Sequence, residues 1–189
     1  MKRLFLTTIL IIASIYGFSQ EKTIVLDFGI NRMKPSNTGS GYEPLIGIQA
    51  GILELRKISN SFSYDKGFFL TYTSFEEKEN NNTLLLKNST FSLSIPFQIY
   101  WTKVSKYFKP FVGAEAIWRF SSNTNYFEAN IPQNEVSKLQ LGLIIGTEIL
   151  LYKQISLNVK YLTTPYLISY GTMDLNGFLI SVRYKFKQK

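Results

Sequence analysis

Residues 90–101 read TFSLSIPFQIYW. Every second side chain, from Phe91 to Trp101, is large and apolar, and the intervening positions carry small or polar side chains. Because successive side chains of a strand point to opposite faces, this alternation predicts a β-strand with one apolar and one polar face. The fold therefore depends on which of the two faces points into the protein.

The same period of two recurs in eight segments, and no helical periodicity competes with it after residue 20. The alternation of apolar and polar residues becomes irregular at Glu54 and Arg56, which predicts a bulge or the membrane boundary. Pro96 has no N–H, which predicts a bulge or a bend. Most segments have about the length that a tilted strand needs to cross a bilayer. In chain order they are Lys22–Met33, Leu45–Lys57, Phe62–Phe75, Leu84–Trp101, Pro110–Phe120, Lys138–Tyr152, Ile155–Leu162 and Gly177–Phe186.

The connections between the segments alternate between long and short. The short ones are Ile58–Ser61, Thr102–Lys109 and Lys153–Gln154. The long, polar ones are Lys34–Pro44, Glu76–Thr83, Ser121–Ser137 and Thr163–Asn176. An even strand number with long loops outside and short periplasmic turns is typical of bacterial outer-membrane barrels. The sequence therefore predicts an all-β fold, an eight-stranded antiparallel up-and-down transmembrane β-barrel.

Two features favour an apolar face that points outward into lipid. The polar faces consist mainly of Ser, Gly, Thr, Asn and Gln with few charges, which suits a narrow lumen better than a solvated surface. Aromatic side chains gather at the ends of the apolar faces, where membrane interfaces favour them. This predicted girdle comprises Phe91, Trp101, Trp118, Phe120, Tyr161, Phe178, Tyr184 and Phe186. The alternative of another class is a soluble periplasmic lipocalin-like barrel that binds an apolar ligand in its core.

The N-terminus predicts export. Residues 1–19 combine a basic start at Lys2 and Arg3, the short apolar run Leu4–Tyr16, and small residues at Gly17 and Ser19. This pattern is typical of a secretory signal peptide, with cleavage before Gln20. Residues 20–189 then form the barrel domain, with a formal net charge of 8 − 2 = +6. The predicted location is the bacterial outer membrane.

The composition excludes several kinds of chemistry. The chain has no cysteine and no histidine, so it lacks thiolate ligands, disulfides, the usual general base and the commonest metal ligand. Its basic residues are scattered without any nucleic-acid-binding motif. We therefore predict no catalytic residues, cofactor, metal site, small-molecule substrate or nucleic-acid partner.

Six charged residues fall on the predicted lumen side. The interpretation is a structural ion network that fills the barrel; a gate made of exchangeable pairs is the alternative. Glu115 and Glu148 are expected at similar depth, where they need a cation, and Arg183 is the candidate. Eight strands leave room only for side chains, so a constitutive solute pore is not expected. The predicted network is Asp27, Glu115, Arg119, Glu148, Lys160 and Arg183.

Several short motifs resemble those of a known family. They are the signal end Phe18-Ser-Gln20, Leu93-Ser-Ile-Pro-Phe97, Lys109-Pro-Phe-Val-Gly-Ala-Glu115 and Val182-Arg-Tyr-Lys-Phe186. Together they resemble the PorT-like outer-membrane β-barrel domain family of Bacteroidota. The resemblance implies an eight-stranded barrel similar in shape to small OmpA- and OmpX-type barrels. Some members of that family serve secretion machinery, and no functional residue transfers from it to this chain.

The resulting functional hypothesis is a non-enzymatic, porin-like outer-membrane barrel. Its role is structural, or it presents its four long loops to a protein partner. The alternative in the same class is an accessory subunit of a secretion or transport complex. The predicted partners are outer-membrane lipid and a protein that contacts the extracellular loops.

Overall fold

The computed structural model describes residues 22–35, 41–78, 83–127, 136–163, 169–170 and 174–187. The predicted signal peptide, residues 1–19, lies outside these residues. Ten strands form one antiparallel sheet. They are β1 (Lys22–Pro35), β2 (Tyr42–Pro44), β3 (Ile46–Lys57), β4 (Phe62–Lys78), β5 (Leu84–Trp101), β6 (Phe108–Tyr126), β7 (Leu139–Tyr152), β8 (Ile155–Thr163), β9 (Ser169–Tyr170) and β10 (Leu175–Lys187).

Eight of these strands close into a ring in the order β1-β3-β4-β5-β6-β7-β8-β10. The ring closes where β1 pairs with β10, which brings Asp27 opposite Arg183. The short strand β2 pairs with β4 beside β3, and β9 pairs with β7. Closure leaves none of the eight strands as a sheet edge. The predicted eight-stranded antiparallel barrel is confirmed.

Pro96 does not produce the expected bulge toward β4. Lys66 pairs with Phe97 and Phe69 pairs with Ser94, so the register is the same on both sides of the proline. The pairing simply lapses between these positions, because proline has no N–H to donate to the neighbouring strand. The register shift of β5 occurs instead against β6, between Phe91 and Ser92.

The irregular alternation at Glu54 and Arg56 is not caused by a bulge either. Strand β3 keeps a continuous register with β1 and with β4 up to Arg56. The two side chains form an ion pair with each other, with Arg56 Nη2 2.5 Å from a Glu54 oxygen. The irregular alternation therefore marks the place where β3 leaves the apolar part of the barrel.

Several strands are longer than the sequence predicted. Strand β4 reaches Lys78 and β6 reaches Tyr126, so both extend into the expected loops, and β2 and β9 form within two others. We call the end with the connections β3–β4, β5–β6 and β7–β8 the turn end, and the opposite end the loop end. At the loop end β4, β5 and β6 continue past the start of β7, which pairs with β6 only as far as Trp118. The extensions of β4 beyond Phe75 and of β6 beyond Phe120 carry mainly polar side chains on both faces, so the alternation that predicts strands is missing there.

The apolar faces that the alternation predicts point outward. Phe28 is 59% exposed, Ile95 52% and Leu143 50%, although each lies in the middle of its strand. The predicted girdle residues also point outward: Tyr161 is partly exposed and the other seven are exposed. Their rings pair with one another, as Tyr161 does with Phe178 at 4.8 Å between centroids.

The lumen differs from the expected lining of small polar residues. Large apolar side chains fill much of it and form a buried cluster. They fit because glycines lie opposite several of them, which keeps small and large residues adjacent within a narrow interior. A Cβ atom on Gly51 would lie 2.3 Å from Cδ1 of Phe69. The same relation holds for Gly146 with Phe111 and for Gly142 with Leu162.

We expect Gly51→Val to destabilise the barrel by about 1–3 kcal/mol, because the new side chain must displace the buried ring of Phe69. The matched control is Ala50→Val, at the preceding residue of β3, whose side chain points toward the outer face. Urea unfolding in lipid bilayers measures both changes. Equal unfolding midpoints for the two variants would contradict the packing of Phe69 against Gly51.

Candidate functional site

A buried arginine is the centre of the charged layer inside the barrel. Arg183 is 1% exposed and lies on β10, opposite Asp27 of β1 and Ser156 of β8. Its Nε donates to Asp27 Oδ2 at 2.7 Å, and its Nη1 donates to Asp65 Oδ2 of β4 at 2.9 Å. One guanidinium thus bonds two carboxylates on different strands.

Strand β5 completes the surroundings of this arginine from across the lumen. Arg183 donates to the hydroxyl of Tyr100 and, through Nη2 at 3.3 Å, to Oε1 of Gln98. The Tyr100 hydroxyl lies 2.7 Å from both Asp65 Oδ2 and Gln98 Oε1. These side chains meet because Asp65 lies directly opposite Gln98 in the β4–β5 register. The layer therefore links β1, β4, β5 and β10.

The two glutamates do not lie at one depth as expected. Glu115 lies opposite Gly142 of β7, well away from Glu148 on the same strand. Glu148 bonds Lys185 and has Oε2 3.6 Å from Arg183 Nη1. The expectation was wrong because it placed β6 and β7 in a different register.

Each glutamate therefore has its own cation. Glu115 Oε2 lies 3.4 Å from Lys160 Nζ, and Ser94 donates to its other oxygen. The same ammonium lies 4.3 Å from the ring centre of Phe69, in a cation–π contact. Lys160 is buried, so its charge is balanced entirely by side chains within the barrel.

Arg119 lies apart from this network, toward the loop end. Its Nη1 donates to the carbonyl oxygen of Ser137 at 2.7 Å, and its Nη2 donates to Oε1 of Gln140. Gln140 in turn donates to the carbonyl of Leu175 at 3.0 Å. Arg119 thus ties β6 to β7 and to the start of β10, and forms no ion pair with any carboxylate in the described ranges.

The structure buries all six of the predicted lumen residues. Further residues join the network around Arg183: Asp65, Gln98, Tyr100, Lys185 and, through Asp27, Gln49. Asp65 lies in the segment with the weakest alternation, so its facing was not readable from the sequence. Tyr100 and Gln98 were read only as polar positions of β5. Lys185 was read as an end residue of the last strand. For Asp65, Gln98 and Tyr100, the signal that could have identified them is the β4–β5 register, which pairs Phe62 with Trp101.

Side chains of the described residues fill much of the lumen. The internal cavity between Glu115 and Arg119 has a volume of about 20 Å³, little more than the space that one water needs. The described part of the chain contains no cluster of three or more His, Cys, Asp or Glu residues that could hold a metal ion. Within those same residues, no helix is long and apolar enough to cross a membrane. Among the described residues, the arrangement fills space and balances charge.

The comparisons with known proteins concern the fold. No family model matches the sequence, and no curated protein matches it. The PorT-like resemblance therefore stays a prediction. Among solved structures, the barrel is similar to Neisserial surface protein A (NspA), with 13% identity, a TM-score of 0.48, and coverage of 87% of this chain and 97% of that one. Ail of Yersinia pestis, solved in complex with the heparin analogue sucrose octasulfate, has 12% identity and a TM-score of 0.47, covering 88% and 98%. The outer membrane protein OprG of Pseudomonas aeruginosa has 12% identity and a TM-score of 0.45, covering 92% and 100%.

We expect Arg183→Met to lower the free energy of unfolding by about 3–5 kcal/mol, because it leaves the buried carboxylates of Asp27 and Asp65 without their cation. The matched control is Lys22→Met. Lys22 is 3.9 Å from Glu54 in an exposed pair, so its loss should cost less than about 1 kcal/mol. Urea unfolding midpoints in bilayers compare the two. Equal, small shifts would show that the Arg183 network does not stabilise the barrel.

Proposed function

We propose that this chain is a non-enzymatic barrel of the bacterial outer membrane that presents its loop end to a partner. The observation that carries the proposal is that its side chains are arranged in the opposite way to those of a soluble protein. Ion pairs such as Arg183–Asp27 lie in the interior, while Phe28, Ile95 and Leu143 lie exposed on the outside. Water would disfavour both arrangements, whereas a hydrocarbon surrounding favours an apolar exterior.

Closure of the ring supports the membrane setting. A lipid-exposed sheet must satisfy all its backbone groups internally, and a closed barrel does so. On β5 the outward apolar side chains run from Phe91 to Trp101, about the length of one bilayer crossing by a tilted strand. By the usual orientation of such barrels, the turn end faces the periplasm and the loop end faces outside.

The soluble alternative requires the opposite arrangement. A lipocalin-like barrel needs its apolar face inward around a ligand cavity and its charges outside. Here the outward face carries the girdle aromatics, and the interior is packed with side chains such as Phe69, Phe111 and Arg183. The internal cavity of about 20 Å³ is too small for an apolar ligand.

The loop end supports a role in binding. There β4, β5 and β6 project together past the start of β7. A polar ladder holds the projection together: Asn88 Nδ2 donates to Thr124 Oγ1 at 2.7 Å and to Ser122 Oγ at 3.2 Å. An accessory role in a secretion complex would use the same surface.

Fractionation of cells that express the full chain tests the proposal. We expect the protein in the outer-membrane fraction, with an unboiled band that migrates faster on a denaturing gel than the boiled band, because a closed barrel resists detergent until it is heated. A protein in the soluble periplasmic fraction without any heat-dependent shift in mobility would contradict the proposal.

A substitution on the outer face gives a second test. Leu143→Arg should cost about 2–4 kcal/mol, because the charge enters the apolar middle of the bilayer. Val104→Arg, at an equally exposed position in a turn-end connection, should cost no more than about 1 kcal/mol. Unfolding in vesicles measures both. If both variants unfold like the parent protein, the outer face is not in contact with lipid.

A further inference from the structure

The outer surface of the barrel carries a groove at the loop end, where β1, β10 and β8 lie side by side. We call it the loop-end groove; its volume is about 550 Å³, within the range of ligand sites. Its apolar side is formed by Ile30 and Ile180, which pair across β1 and β10, and by the ring pair of Phe178 and Tyr161. Pro44 lines it from the β3 side.

Two cations border this groove. Arg32 lies opposite Phe178 in the β1–β10 register, and Lys34 lies opposite Asn176, two residues closer to the loop end. Both side chains are exposed. Arg32 Nη2 donates to the carbonyl of Pro44 at 3.2 Å, which holds the guanidinium at the mouth of the groove. The groove lining contains no carboxylate among the described residues.

The charges elsewhere on the loop-end rim are arranged differently. Lys78 lies 2.7 Å from Glu43 and 3.7 Å from Glu76, and Lys87 lies 3.2 Å from Glu76. No carboxylate of the described residues lies within ion-pair distance of Arg32 or Lys34. The two groove cations therefore leave a net positive charge directly beside an apolar surface.

This combination fits the interface of a membrane. Aromatic rings such as Phe178 and Tyr161 favour the boundary between acyl chains and headgroups. Arg32 is level with that ring pair and Lys34 lies two residues closer to the loop end. With the rings at this boundary, the two cations would be near the lipid phosphates. A guanidinium binds phosphate oxygens with paired hydrogen bonds, and an ammonium adds a compact charge.

We propose that the loop-end groove binds a membrane lipid with an anionic phosphate headgroup, the phosphate contacting Arg32 and Lys34 and an acyl chain lying against Ile30, Ile180 and Phe178. The proposal rests on the proposed function, since it needs the outer face to be in lipid. It adds a specific lipid site to a surface that would otherwise contact lipid without preference.

Native mass spectrometry of the barrel released from nanodiscs tests this site. The nanodiscs contain phosphatidylcholine with a minor fraction of phosphatidic acid that has the same acyl chains. We expect the protein to retain phosphatidic acid in preference to phosphatidylcholine. Arg32→Ala/Lys34→Ala should lower this preference by about thirtyfold, given roughly 1 kcal/mol for each cation near the headgroups.

The control is Lys78→Ala/Lys87→Ala, which removes the same charge from the paired part of the rim and should leave the preference unchanged. If both double variants lose the preference for phosphatidic acid equally, the effect is one of general charge. If the parent protein retains the two lipids equally, there is no site. Each result overturns the proposal. Complete displacement of the lipid by inorganic phosphate would indicate a free-anion site and also overturn it.

A heat-dependent gel shift in the same nanodiscs checks the barrel itself. A barrel that shifts but lacks lipid preference refutes the lipid site alone, whereas a chain that does not shift refutes the proposed function too.

Discussion

The contact between Arg183 and Asp27 is the interaction on which the barrel depends. It joins the first and last strands of the ring, and both side chains are buried in the lumen. A charge buried in such a place must find its partners among side chains. Asp65, Tyr100 and Gln98 therefore converge on the same guanidinium from the other side of the barrel. The requirement to pair one arginine thus organises half of the strands.

The filled lumen and the apolar exterior are two consequences of one geometry. A strand has only two faces, so the polar groups that pair across the interior leave their apolar neighbours outside. Such a surface is stable in hydrocarbon and invites aggregation in water. The proposed contacts with a partner or a lipid lie on the outer face and at the loop end. The projecting strands β4, β5 and β6 and the loop-end groove are the features there that a partner or a lipid can contact.

The period of two was sufficient to predict the strand number, the ring and the outward face, because lipid and lumen impose opposite demands on alternate residues. It failed where that contrast disappears. The extension of β6 to Tyr126 carries polar residues on both faces, and so it resembles a loop in sequence. The partners of Glu115 and Glu148 depend on the register between strands, which alternation within one strand does not determine. For the same reason Lys185 was missing from the predicted network, whereas Asp65 was missing because the alternation of its segment is weak. The loop-end groove depends on pairing as well, because it combines β1 with β8 and β10, which lie at the other end of the sequence.

The most direct test of the central claim uses the two tryptophans of the chain, Trp101 and Trp118, which both point outward from the barrel. In vesicles whose lipids carry bromine on their acyl chains, contact with lipid quenches tryptophan fluorescence. The account predicts strong quenching by these lipids and weak quenching by aqueous iodide. Strong quenching by iodide with little effect of the brominated lipids would show that the apolar face does not contact the membrane, and would contradict the account.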